Sequence, residues 1–235
     1  MNTNNCDKVQ IPHQTRRIKP TRRSISGSFA FRKQSAIPFE STLERDFLIR
    51  KSFSPLVVDI IPQPVQLEYT ANNGRTYRYT PDFLVYFRSV NYANELELKP
   101  LLVEVKYRDE LREKWPDLRL KFKTALKYAK EQGWDFRIYD ETRIRDQVLA
   151  NIVSLKRYKN MTFSPEETAA ILNHLTVIGQ APFSQLVASQ FAGKWDTATG
   201  IAHVWHLVTM GLIECDMTIP LSNSTVVWRS IYDQI

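Results

Sequence analysis

Residues 79–83 read YTPDF and residues 102–107 read LVEVKY, and both stretches have the pattern of β-strands. Alternate side chains of a strand share a face, so Glu104 and Lys106 point the same way while the valines between them point towards the core. Asp82 begins the earlier strand, and pairing of the two strands places it beside Glu104. Two converging carboxylates suit a hard divalent cation such as Mg²⁺. The lysine can orient an attacking water or neutralise charge on a scissile phosphate.

The flanking sequence predicts a mixed α/β domain. Ser41 and Glu44 have the spacing of a capping box at the start of a helix, and residues 72–74 read NNG, which is a hairpin turn signal. The predicted elements are a helix after residue 41, strands at 57–61, 65–69, 76–79, 82–87 and 101–107, a helix at 118–132, a strand at 136–139 and a helix at 144–153. We therefore predict an α/β domain at residues 39–160, preceded by an extended basic arm at residues 1–38.

The composition changes after residue 160, which indicates a second domain at residues 161–235. Ser164 followed by Pro165 is typical of a helix start. The predicted elements are helices from 164, at 183–191 and at 197–212, followed by strand-like runs at 215–219 and 225–229. Three helices and a hairpin are the plan of a winged helix, a pattern that small helical bundles share. The second domain is accordingly predicted to be winged-helix-like (α+β).

Pro81-Asp82 together with Glu104-Val105-Lys106 resembles the motif of the PD-(D/E)xK nucleases. The resemblance extends to the TnsA endonuclease family. Residues 39–47, FESTLERDF, resemble that family's catalytic helix, and residues 61–64, IPQP, follow in the same order. The resemblance implies a restriction-endonuclease-like fold for the first domain. It also implies a metal-dependent DNA endonuclease that cleaves the 5′ strands at transposon ends as part of a heteromeric transposase.

The resemblance also implies the site residues. Glu44, Asp82 and Glu104 would be catalytic and would hold Mg²⁺, with Mn²⁺ as a substitute, and Lys106 would complete the site. Glu40 lies four residues before Glu44 and therefore on the same helix face, so it is the alternative helix carboxylate. A second alternative is that Glu44 only caps its own helix.

The partners implied by the resemblance are transposon-end DNA, the integrase-like transposase subunit TnsB and the AAA+ ATPase regulator TnsC. We expect no membrane partner, since no apolar run approaches the roughly 18 residues that a membrane-spanning helix needs. Two distant cysteines and the absence of a secretory signal predict a location in the bacterial cytoplasm.

The net charge of +7 is concentrated at the N-terminus. Residues 1–35 contain eight basic side chains and one acidic side chain, whereas residues 161–235 contain two basic and six acidic ones. Basic segments attract phosphate backbones. The predicted DNA contacts are Arg16, Arg17, Arg22 and Arg23 in the arm and Lys121, Lys123 and Lys127 in the helix at 118–132.

Two other functions remain open at this point. One is a different PD-(D/E)xK nuclease that acts in repair or restriction, and the other is a non-enzymatic winged-helix DNA-binding regulator. The acidic second domain favours a protein partner over DNA, and we expect the contact at a helix surface bearing His203 and His206 or at the hairpin tip near Pro220.

Deletion of residues 1–35 tests the basic arm. If about six of its eight cations contact DNA, the slope of log binding constant against log salt concentration should become shallower by roughly 5 units. The measurement is a salt titration of DNA binding by the full-length and shortened chains. An unchanged slope would show that the arm does not contact phosphates.

Overall fold

The computed structural model describes residues 14–15, 25–32, 36–88, 98–191 and 193–231. These residues pack as two units. The N-terminal unit is formed within Met1–Glu44 and Leu56–Asp140, and the C-terminal unit within Arg45–Pro55 and Glu141–Ile235. The predicted boundary at residue 160 therefore differs from the division in the structure, because Leu155 packs into the hydrophobic core of the C-terminal unit.

The N-terminal unit begins with a short hairpin of strands β1 (Gly27–Ala30) and β2 (Ala36–Phe39), which pair in antiparallel register. The segment was predicted to be an extended arm, and the hairpin is a correction for its described part. The physical reason is apolar burial, since Phe31, Ile37 and Phe39 are all enclosed. The arginines predicted to contact DNA at positions 16, 17, 22 and 23 lie outside the described residues.

A four-stranded sheet forms the centre of the N-terminal unit. The helix α1 (Thr42–Ser52) begins in this unit, and its residues from Arg45 onwards belong to the C-terminal unit. In chain order the elements that follow are β3 (Val57–Pro62), β4 (Leu67–Thr70), β5 (Thr76–Tyr79), β6 (Phe83–Phe87), β7 (Leu101–Val105), α2 (Arg108–Glu113), α3 (Trp115–Glu131) and β8 (Asp135–Tyr139). The sheet order is β3-β6-β7-β8, and β4 and β5 form a separate hairpin. Only β7 and β8 pair in parallel, and the helices α2 and α3 provide the crossover that a parallel pair requires.

Helix α3 packs one apolar stripe against this sheet. Leu118, Phe122, Ala125 and Ala129 are its buried residues and recur at helical spacing. They form a core with residues of β6 and β7 that include Leu84 and Leu102. The helix begins three residues before the predicted start, because Pro116 is well tolerated in a first turn.

Besides most of α1, the C-terminal unit contains five further α-helices and a small sheet among its described residues. In chain order these are α4 (Glu141–Ile144), α5 (Gln147–Leu155), a 3₁₀ turn (Lys156–Tyr158), α6 (Pro165–Ile178), β9 (Gln180–Pro182), α7 (Phe183–Gln190), α8 (Lys194–Thr209), β10 (Ile213–Cys215) and β11 (Val226–Arg229). The antiparallel sheet has the order β10-β11-β9. Strand β9 was not predicted, since three residues are too few to show alternation.

The position of His203 corrects a prediction about α8. Its side chain is fully buried, stacks on the ring of Phe163 at 4.2 Å, and its Nε2 lies 2.9 Å from the Thr168 hydroxyl. Burial, reinforced by His206, lowers the pKa of His203 to about 4. The expectation that His203 lies at a contact surface is therefore wrong, because an apolar environment encloses the neutral ring.

Across the described residues, no helix has both the length and the apolar character needed to cross a bilayer.

Candidate catalytic site

The pairing of β6 with β7 places Asp82 opposite Glu104. Phe83 pairs with Val103, and the backbone N–H of Asp82 donates to the Val103 carbonyl at 3.0 Å, which continues the register by one position. The Asp82 carboxylate is fixed by the backbone of the neighbouring strand, since the Val105 N–H donates to its Oδ2 at 2.6 Å. This arrangement is the one expected from the sequence.

Glu104 is 2% exposed although it carries a carboxylate. The Tyr79 hydroxyl donates to its Oε2 at 2.7 Å, and Lys121 Nζ donates to its Oε1 at 3.2 Å. Lys106 Nζ lies 3.9 Å from the same Oε1. Buried carboxylates require such partners, and here a residue of β5, a residue of α3 and the residue that follows β7 provide them.

Lys106 directly follows β7, and its backbone N–H donates to the Tyr139 carbonyl at 3.0 Å. Burial lowers the pKa of Lys106, but nearby carboxylates, first among them Glu104 and then Asp82, more than compensate and hold that pKa above its ordinary value. The side chain is therefore a cation at neutral pH, as charge neutralisation on a phosphate would require.

Glu44 forms the capping box that its spacing predicted. Its backbone N–H donates to Ser41 Oγ at 3.1 Å, while its own carboxylate accepts from Ser41 Oγ at 2.9 Å and from the Glu40 backbone N–H at 2.8 Å. Burial raises the pKa of Glu44 despite these hydrogen bonds, and the charges of Glu40 and Lys106 act on it in opposite directions. Its carboxylate is therefore engaged with its own helix.

The surroundings of Asp82 disfavour its ionised form. Burial raises the pKa of Asp82 well above its ordinary value, and the carboxylates of Glu104 and Glu44 raise it further, against the opposing effects of Lys106 and the Val105 N–H. Three carboxylates thus interact in one region. Within the described ranges, however, no group of three or more His, Cys, Asp or Glu side chains is arranged to hold a metal ion. Glu44 also accepts the hydrogen bonds of its capping box, and the three-carboxylate metal site stays a prediction.

Gln63 supports the site from the loop after β3. Its backbone N–H donates to the Asp82 carbonyl at 2.8 Å, and its φ of 46° is unusual for a residue other than glycine. The side chain is buried, and its Oε1 is one of the buried polar atoms that have no hydrogen-bond partner among the described residues. A strained backbone at such a position is typical of functional sites.

The sequence patterns did not predict the contacts that two residues make with Glu104. Tyr79 was not singled out, and Lys121, which was predicted to contact phosphates, bonds to Glu104 in the structure. Lys123 and Lys127 are exposed on α3, as a phosphate contact requires, and Lys127 lies 3.8 Å from Glu131. The helical period could have indicated the direction of Lys121. It lies three residues after the buried Leu118 and next to the buried Phe122, and therefore beside the buried face of α3.

Two family models place the chain in a class of endonucleases. The model described as TnsA-like endonuclease N terminal matches residues 54–141, and the model described as TnsA endonuclease C terminal matches residues 143–217. The chain belongs to the TnsA endonuclease family. Asp82, Glu104 and Lys106 lie within the first match, and Glu44 lies before it. No curated protein matches the chain.

The raised pKa of Asp82 predicts a pH-dependent effect of Asp82→Asn on stability. Below the ordinary value of 3.8 the carboxyl is protonated in both the folded and the unfolded state, so both proteins should be equally stable. As pH rises above that value, the unfolded wild-type chain ionises more readily than the folded one and wild-type stability falls. At neutral pH in chelator, the variant should therefore be more stable than the wild type.

The measurement is the midpoint of thermal unfolding from pH 4 to pH 8. Asp109→Asn is the matched control, because the Asp109 side chain is 84% exposed, and it should leave the curve of midpoint against pH unchanged. A wild-type advantage over Asp82→Asn at neutral pH would contradict the assignment of strain to Asp82.

Proposed function

We propose that this chain is the Mg²⁺-dependent endonuclease that hydrolyses the 5′ strands at transposon ends within a heteromeric transposase. The observation that carries the proposal is the placement of Asp82 opposite Glu104, with Lys106 beside Glu104, in a member of the TnsA endonuclease family. Two acidic groups and one cation on adjacent strands match the needs of phosphodiester hydrolysis.

The residues present fit Mg²⁺, although the part of the chain that the structure describes holds no preformed group of three such ligands. Mg²⁺ is usually bound by one or two carboxylates, with waters and substrate phosphates completing the shell. Asp82 and Glu104 supply hard oxygen ligands, and they raise the local negative charge that a cation would relieve. Mn²⁺ would substitute because it accepts the same ligands. We retain Glu44 as a proposed third ligand, since its charge acts directly on Asp82.

Each residue then has a role on the DNA. Asp82 and Glu104 would hold the metal ion, which supplies Lewis acidity and an activated water when bound. Lys106, held protonated by the carboxylates around it, would orient the attacking water or balance charge on the scissile phosphate. The exposed Lys123 and Lys127 and the N-terminal arm would bind backbone phosphates, which positions the duplex without reading its sequence.

Strand-specific cleavage assays test the proposal. Asp82→Ala or Lys106→Ala should abolish 5′-strand cleavage of end-bearing DNA in Mg²⁺ or Mn²⁺, with the transposase partner present, because each variant removes a group that acts at the phosphate. The control is Asp109→Ala at an exposed position of α2, which should cleave like the wild type. Chelator should stop cleavage by every variant.

The same assay separates the remaining functions. A repair or restriction nuclease would cleave DNA without transposon ends as well as end-bearing DNA, and a non-enzymatic regulator would bind DNA without cutting it. Cleavage by Asp82→Ala at the wild-type rate would overturn the site assignment.

We further propose that the C-terminal unit is a winged helix that binds a protein, with the ATPase regulator TnsC as the partner and TnsB bound elsewhere in the complex. Its helices α6, α7 and α8 precede the β10–β11 hairpin, which is the winged-helix order. Residues 161–235 contain two basic and six acidic side chains, and Lys194 at the start of α8 is the only basic residue in that helix apart from its two histidines. Such charge disfavours a duplex.

The surface best suited to this contact is the loop between β10 and β11. Ile219 in this loop is 51% exposed, whereas His203 is buried and the Nδ1 of His206 lies 2.8 Å from the Tyr158 carbonyl. Asn151 fixes the loop, because its Nδ2 donates to the carbonyls of Met217 at 3.0 Å and Ile219 at 2.7 Å. A fixed, exposed apolar side chain is a suitable anchor for a protein partner.

Ile219→Asp should therefore weaken binding of the full-length chain to the regulator at least about tenfold, since a charge at an interface anchor costs a few kcal/mol. Val177→Asp is the control, because Val177 on α6 is 85% exposed and lies away from this loop in the sequence. Binding is measured by surface plasmon resonance with the purified regulator. Equal loss in both variants, or loss in neither, would remove the loop from the interface.

A further inference from the structure

Lys121 is the nearest cation to the buried carboxylate of the site. Its Nζ is 3.2 Å from Glu104 Oε1, which is hydrogen-bonding distance, whereas Lys106 Nζ is 3.9 Å from the same oxygen. The other oxygen, Oε2, accepts from the Tyr79 hydroxyl at 2.7 Å. A single carboxylate oxygen thus receives one lysine directly and has a second lysine close by.

The surroundings of Lys121 hold its ammonium group in place. The side chain is 16% exposed, and Nζ lies 4.7 Å from the ring centroid of Tyr79 and 5.0 Å from that of Phe122. Aromatic faces attract cations at these distances. Lys123, two residues along the same helix, is exposed instead. Lys121 is therefore directed into the site. Its contacts with the two rings hold the ammonium group where it bonds to the Glu104 carboxylate.

We propose that Lys121 is an internal counter-ion of Glu104, which occupies this carboxylate in the metal-free protein and competes there with a divalent cation. The inference rests on the proposed function insofar as Glu104 is a metal ligand. It assigns Lys121 to control of metal affinity rather than to a phosphate contact. The wild-type chain then binds a divalent cation more weakly than its carboxylates alone would.

Two physical effects give the same direction. Removal of Lys121 leaves Lys106, 3.9 Å away, as the cation near Glu104, so the buried carboxylate is compensated less well and the free energy of the metal-free protein rises. A divalent cation restores the lost compensation and therefore binds the variant more tightly. In addition, a positive charge within a few Å of a bound cation repels it, and this repulsion disappears with Lys121.

Isothermal titration calorimetry of the full-length chain with MnCl₂ tests the proposal. Lys121→Met should bind Mn²⁺ at least about tenfold more tightly than the wild type, given the strength of a charge–charge interaction at this range. Lys123→Met is the matched control from the same helix, and it should leave the Mn²⁺ affinity unchanged. In DNA binding the pattern reverses, since only Lys123→Met should reduce the salt slope, by about one unit.

Two further variants separate the charge from the hydrogen bond and guard against misfolding. Lys121→Gln retains an N–H donor without charge and should also tighten Mn²⁺ binding, whereas Lys121→Arg retains the charge and should bind Mn²⁺ as the wild type does. In chelator, Lys121→Met should unfold at a lower temperature than Lys123→Met, and MnCl₂ should raise its unfolding temperature more than that of the wild type.

Equal or weaker Mn²⁺ binding by both Lys121→Met and Lys121→Gln overturns the proposal, and so does the absence of binding by every protein. Binding by these two variants where the wild type shows none supports it. Strand cleavage by the wild type is measured separately. If the wild type fails to cleave transposon-end DNA while Lys121→Met binds Mn²⁺ more tightly, the proposed function is wrong. The proposal that Lys121 is the counter-ion of Glu104 is then still supported.

Discussion

The burial of the Glu104 carboxylate is the constraint on which the N-terminal unit depends. β7 is buried along its whole length, and Glu104 is the charged residue within it. Removing a charge from water is costly unless cations and hydrogen bonds replace the lost hydration. Tyr79 from β5, Lys106 after β7 and Lys121 from α3 supply that replacement. The β4–β5 hairpin, the segment directly after β7 of the central sheet and the helix α3 therefore each contribute a residue that compensates the charge of Glu104.

The burial of Glu104 also lowers the stability of the metal-free protein, because a second carboxylate lies beside it. Asp82 faces Glu104 across the strand pair, so the pKa of Asp82 rises through burial and through the charge of its neighbour. The metal-free protein keeps two carboxylates in a place where their mutual repulsion is only partly offset. A divalent cation would relieve that repulsion, so the arrangement that costs stability would favour the proposed metal binding.

The sequence was informative where the strand period and the register alone determine the structure. Asp82, Glu104 and Lys106 could be placed together because hairpin pairing of two buried strands leaves little freedom of register. Strand β9 could not be predicted, since its three residues have no period. The hairpin of β1 and β2 was missed because basic residues surround it, although Ile37 and Phe39 alternate. His203 was misplaced because a polar residue type was taken as a surface signal.

The lysines of α3 differ in their angular position around the helix. The helical period therefore predicts the direction of charged side chains as well as that of apolar ones. At about 100° per residue, the buried Leu118 and Phe122 define one face, and Lys121 falls roughly 60° from Leu118. Lys123 and Lys127 fall on the opposite side of the helix. In this helix the angle separates two groups of lysines. Lys121 beside the apolar stripe reaches a buried carboxylate, whereas Lys123 and Lys127 opposite the stripe meet solvent, where the proposed phosphate contacts would form. Composition alone could not distinguish the two groups, because it counts charges without their direction.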